Sequence, residues 1–134
     1  MTLFHSDIIT KIDLGHTIFI QRASGIVEAQ CSDNFTYEIE HITENLETLK
    51  RLNTNGKLLM LNCLEPYTLL SSEARHFIAT GSHIDFIQAE AYVLKSLAQK
   101  LIATFFIRVD KPKVPTNFFV KKEDAEKWLL KFKS

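Results

Sequence analysis

Apolar positions fall in short blocks near the start of the chain and in longer periodic stretches after Phe35. Ile8 to Ile12 and Thr17 to Gln21 flank Asp13-Leu14-Gly15-His16, and a third run begins at Ile26-Val27 behind Ser24-Gly25. Glycine at each junction supplies the positive φ of a tight turn, so this region predicts an antiparallel meander of two or three strands. From Phe35 the spacing changes. Phe35, Ile39, Ile42, Leu46 and Leu49 recur at alternating intervals of four and three, with Glu38, Glu40, Glu44 and Glu47 off the stripe. That is the period of a long amphipathic helix, closed by a left-handed cap at Asn53-Thr54-Asn55-Gly56.

Lys57 to Leu64 is almost continuously apolar, the pattern of a central strand covered on both faces. Ser71 or Ser72 then caps a short helix from Glu73 to Thr80, stopped by Gly81, and Ile87 to Val93 reads as the next strand. Leu94, Leu97, Ala98, Leu101, Ile102 and Phe105 form the apolar stripe of a third helix. Pro112 and Pro115 break the chain before Phe118-Phe119-Val120, which passes into an acidic-started helix with apolar residues at Ala125, Trp128, Leu129 and Phe132. This alternation predicts an α/β fold: a mixed, mostly parallel sheet with an N-terminal antiparallel meander and about four helices, forming one domain over residues 1–134.

Composition narrows the function classes. The 134 residues suffice to bury roughly two-thirds of the unfolded surface without a disulfide or metal staple. Sixteen basic residues balance sixteen acidic ones, leaving no excess to neutralise a phosphate backbone, so nucleic acid is not an expected partner. Cys31 and Cys63 lie far apart with no ligand-spaced neighbour, which predicts reduced, half-buried thiols. The five histidines, at 5, 16, 41, 76 and 83, form no close pair in sequence, and a zinc site is not expected. Met1 to Asp7 does not read as a secretory leader, and the longest apolar run, Leu101 to Ile107, is far short of a membrane span, so the expected location is cytoplasmic. No nucleophile stands with a base and no glycine loop cradles phosphate, so the expectation is a non-enzyme without cofactors.

Four places carry candidate chemistry. Arg75, in the first turn of the second helix, can clamp a carboxylate or phosphate, or simply pair with Glu73 or another carboxylate. Asn62 stands at the carboxyl end of the central strand, where open α/β sheets bind ligands, and a turn-stabilising role fits it equally. Glu90 is the odd member of an apolar strand, facing either a cavity or the wetter side. Leu101, Phe105, Phe106 and Ile107 belong to a segment apolar on nearly every side, which has to meet a second copy of the chain, a protein partner or a lipid-like ligand wherever it is not buried. Twofold homodimerisation is the commonest of these outcomes.

Three local patterns add a family resemblance: Gly25-Ile26-Val27 before the first long helix, Ser72-Glu73-Ala74-Arg75-His76-Phe77 opening the second, and Phe118-Phe119 through Glu123-Asp124-Ala125 to Trp128-Leu129. Together they resemble the SpoIIAA-like branch of the STAS superfamily, related to anti-sigma-factor antagonists and more distantly to CRAL-TRIO lipid-transfer modules. The resemblance implies a SpoIIAA-like fold and a non-enzymatic interaction or regulatory module with a regulatory protein partner. It also implies that Ser71 or Ser72 occupies the place of a phosphoacceptor at a helix start, where free amides and the helix dipole favour an anion. Plain capping is the alternative at those serines. The alternative function is a carrier of a small apolar or acyl ligand, held between the third helix and the sheet.

Overall fold

The computed structural model describes residues 8–52, 56–81 and 83–133. β1 (Ile8–Asp13), β2 (Thr17–Arg22) and β3 (Ile26–Cys31) form the antiparallel meander. Its first turn is closed by Asp13, whose carboxylate accepts from the Gly15 amide at 2.8 Å while Gly15 takes φ +90°. β3 then pairs in parallel with β5 (Leu58–Cys63), β5 with β7 (Ile87–Val93) and β7 with β8 (Thr116–Phe119), giving the order β1-β2-β3-β5-β7-β8. β4 (Phe35–Tyr37) and β6 (Thr68–Leu70) make a separate two-stranded parallel sheet just beyond the carboxyl ends of β3 and β5.

Parallel pairing requires crossovers, and these are helical: α1 (Ile39–Leu52), α2 (Ser72–Ala79) and α3 (Leu97–Phe105), with α4 (Lys122–Leu130) following the last strand. Among the described residues, α1, α2 and α3 share one face of the sheet and α4 covers the other. The contact under α4 is close because the residues are small: Ala89 and Ala91 of β7 face Ala125 and Leu129 of α4, all four fully enclosed. β5 shows why its run is apolar on both sides. Leu59 and Leu61 pack toward α4, while Leu58 and Met60 pack toward Leu49 of α1.

The α4 face also holds a buried ionic cluster. Glu28, 2% exposed, lies against the Arg22 guanidinium, accepts from Gln30 at 3.1 Å and from Lys122 at 3.0 Å, while Arg22 also reaches Glu126 at 3.0 Å. Burial pushes the Glu28 carboxyl up, but hydrogen bonds from Gln30 and Lys122 and the charges of Lys122 and Arg22 outweigh it and hold the pKa below the ordinary 4.5.

Three expectations are corrected. Phe35 to Tyr37 is a strand, and α1 starts only at Ile39, because Tyr37 is spent on a buried link: its hydroxyl reaches Thr17 Oγ1 at 2.8 Å and the His16 carbonyl. The cap at Asn53 to Asn55 lies outside the described residues. The expected stripe of the third helix divides: Leu94 and Ile102 turn inward with Gln99 and Ala103, while Leu97, Leu101 and Phe105 face outward. The helix also changes form at its end, since Phe106–Asp110 is a π-helical turn closed by a Lys111 amide to Phe106 carbonyl bond of 2.9 Å, with Lys111 at φ +52°.

The ionic cluster generates a prediction. Glu28→Ala leaves Arg22 in the interior with Glu126 as its remaining carboxylate partner and is expected to cost about 3 kcal/mol in urea unfolding. The stability contributed by ionised Glu28 is complete above pH 4.5 and is lost as the pH falls through its lower folded-state value. Glu28→Gln should therefore flatten the acid limb of the stability profile, and an acid limb identical to that of the wild type would contradict the assignment.

Candidate functional site

Where α1, α2 and α3 meet over their face of the sheet they leave an apolar cavity of about 100 Å³. Its polar lining includes Asn45, Asn62, Arg75, His83, Glu90 and Gln99. Glu90 projects inward from β7 rather than to the wetter side, and its Oε2 lies 3.2 Å from Nε2 of His83, both residues being buried. The other ring nitrogen of His83, Nδ1, is buried with no hydrogen-bond partner among the described residues. Asn62 donates to the Ala91 carbonyl at 3.4 Å, bridging β5 and β7 rather than a turn. Tyr92 stacks on Phe118 with ring centroids 5.4 Å apart, and burial pushes its hydroxyl pKa well above 10.

Gln99 explains how α3 is anchored. Its amide nitrogen donates to the Thr68 carbonyl at 2.9 Å and its oxygen accepts the Lys95 amide at 2.7 Å, so a buried glutamine ties α3 to β6. Ser96 caps α3 by accepting from the Gln99 amide at 3.2 Å. With Gln99, Ala103 and then Phe106 pointing in, the opposite side of α3 is left uncovered.

α2 begins at Ser71, which accepts the Ala74 amide at 3.1 Å as its N-cap. Ser72 is exposed and its hydroxyl donates to Glu73 at 3.2 Å. Arg75 pairs not with Glu73 but loosely with Asp110 of the π turn, at 4.0 Å, and its guanidinium lies 5.2 Å from the Phe105 ring centroid. The wider π turn brings Asp110 to α2, where His76 also approaches it at 3.9 Å. Arg75 Nε is buried without a partner among the described residues.

The predicted interface segment therefore divides. Phe106 is buried against Phe118 and lines the cavity, whereas Leu101, Phe105 and Ile107 are exposed. Between α3, the π turn and β8 runs an open groove of about 440 Å³ bordered by Lys100, Ile107, Arg108, Phe118 and Val120. His16 and His41, far apart in sequence, come together with ring centroids 5.2 Å apart, and His16 Nε2 lies 2.7 Å from Glu44. Among the described residues no group of three or more His, Cys, Asp or Glu is arranged to hold a metal ion, and no helix is long and apolar enough to cross a membrane.

A family model described as Domain of unknown function (DUF7793) matches residues 19–133. The chain belongs to that family. No curated protein is similar to it. Among solved structures, this DUF7793 chain is similar to an uncharacterized protein of the DUF3478 family with a SpoIIAA-like fold from Shewanella loihica PV-4. The two are 16% identical, with 96% of this chain and 98% of the other covered and a TM-score of 0.50. At that identity the likeness speaks for the fold alone, and the fold of this DUF7793 chain is SpoIIAA-like.

Sequence reasoning named Asn62, Arg75, Glu90 and Phe106, which all reach the cavity, and Ser71, Ser72, Leu101, Phe105 and Ile107, which do not. It missed His83, Gln99 and Asp110. A glutamine inside an apolar helix stripe was the one available signal for an anchor; nothing local marks His83 or Asp110.

Ser71→Ala removes the cap of α2 and should lower stability by about 1 kcal/mol, whereas Ser72→Ala should leave the unfolding midpoint nearly unchanged. Burial pushes the thiols of Cys31 and Cys63 up to about 12. Neither should react with iodoacetamide at neutral pH in the native protein, and both should react in urea, as mass spectrometry would record.

Proposed function

We propose that this DUF7793 chain is a non-enzymatic interaction module working through the outward side of α3 and the π turn. One observation carries the reading: Leu97, Leu101, Phe105 and Val109, at four-residue intervals, are 72%, 65%, 52% and 58% exposed. Isolated exposed apolar residues are ordinary on protein surfaces, but an aligned row of four is the usual mark of a binding surface. The Ser71–Arg75 helix start belongs to the same surface, because Arg75 lies over the Phe105 ring. A charge added at Ser72 would enter this neighbourhood, which is how a regulatory input would reach it.

The carrier reading rests on the cavity. A cavity of about 150 Å³ accommodates benzene, and ligand sites usually run from about 300 Å³ upward, so the space of about 100 Å³ suits a very small guest and not an acyl chain. The surface reading therefore stands first.

A photo-crosslinking residue placed at Leu101 and, as a control, at exposed Glu123 of α4 tests the proposal in living cells. A discrete adduct from position 101 and none from 123 is expected. Equal or absent adducts at both positions would contradict it.

A further inference from the structure

The chemistry of the α3 surface points to its partner. Residues four apart lie along one line of an α-helix, so Leu97, Leu101 and Phe105 form one ridge, followed by exposed Val109 in the π turn, and Lys100 and Thr104 form the ridge beside it, followed by Arg108. Lys100, Thr104 and Arg108 are exposed as well, and Lys111 follows at the end of the π turn. Lys100, Arg108 and Lys111 make no ion pair among the described residues, while Lys95 at the helix start is paired with Glu65 at 3.2 Å. The only carboxylate between Lys95 and Lys111 is Asp110, which is turned inward to Arg75 and His76. A chain with equal numbers of acidic and basic residues thus presents one surface that is apolar along one ridge and cationic along the next.

A second copy fits this surface poorly. A twofold contact would set the cationic ridges near each other, and the stretch from Leu97 to Val109 extends only about 18 Å, a short ridge to supply the roughly 800 Å² per partner of a stable interface. The ridge is also convex, so a protein partner would need a matching acidic cleft. A fluid anionic surface needs no preformed shape: apolar side chains enter the boundary between headgroups and acyl chains while the long stems of Lys and Arg reach back to the phosphates.

Resting on the interaction reading above, we propose that α3 and the π turn dock on an anionic lipid bilayer, with Leu97, Leu101, Phe105 and Val109 inserted and Lys100, Arg108 and Lys111 on the headgroups. The protein would lie on the membrane without crossing it.

Co-sedimentation with phosphatidylglycerol-rich vesicles, set against pure phosphatidylcholine vesicles, tests this. Wild-type protein should sediment with the anionic vesicles only and be released by high salt. K100Q/R108Q should lower the partition coefficient roughly tenfold or more, as should L101S/F105S, with thermal unfolding preserved because all four side chains are exposed. Absence of wild-type binding, or equal binding by the variants, overturns the proposal. Sedimentation velocity on the same proteins separates the two levels of failure. A wild-type dimer that L101S/F105S converts to monomer, with no vesicle binding, would overturn the membrane and keep the interaction surface. A monomer in every case, with no vesicle binding and no crosslink from position 101, would remove both.

Discussion

The constraint on which the rest depends is that β5, the middle of the parallel region, has to be covered on both faces, and the two faces are covered unequally. On one side a single helix suffices, because Ala89 and Ala91 let Ala125 and Leu129 settle directly onto the sheet. On the other side three helices converge over larger residues, Met60, Tyr92 and Phe118 among them, and cannot close the space completely. The cavity is the remainder of that unequal arrangement. So is the position of α3, which packs Ala103 against Tyr92 and Phe118, turns Gln99, Ile102 and the following Phe106 toward the cavity, and leaves Leu97, Leu101 and Phe105 outside.

Charge is divided along the same lines. The α4 face turns its ions inward, where Glu28, Arg22, Lys122 and Glu126 pair with one another between strand and helix. The α3 side turns its carboxylate, Asp110, inward and leaves its cations on the surface. A formally neutral chain therefore carries a local cationic strip beside an apolar one, an arrangement that net charge alone conceals.

Much of the fold was legible because its signals are local. The strands at Ile26, Leu58, Ile87 and Thr116 follow from apolar runs, Gly15 and Gly25 from turns, and the last strand-helix unit from the change of period after Val120. The SpoIIAA-like resemblance agreed with the topology. What was not legible depends on partners distant in sequence. Phe35 fits a helical period, yet Tyr37 is claimed by Thr17, so the segment extends instead. The periodicity of Leu94 to Phe105 identifies a helix but cannot say which side is buried when apolar residues surround it; Gln99, anchored to Thr68, decides that. The approach of His83 to Glu90 and of Arg75 to Asp110 likewise arises only when the crossovers are in place.

We propose the outward side of α3 and the π turn as a working surface and not merely an uncovered part of the core. Amide hydrogen exchange, measured with and without anionic vesicles, tests it most directly, since both elements lie at the margin of the fold and report on anything that covers them. Slowed exchange concentrated in residues 97–110, with α4 unchanged, is the predicted result. Exchange that is identical in both conditions, or slowed equally over the whole chain, would contradict it.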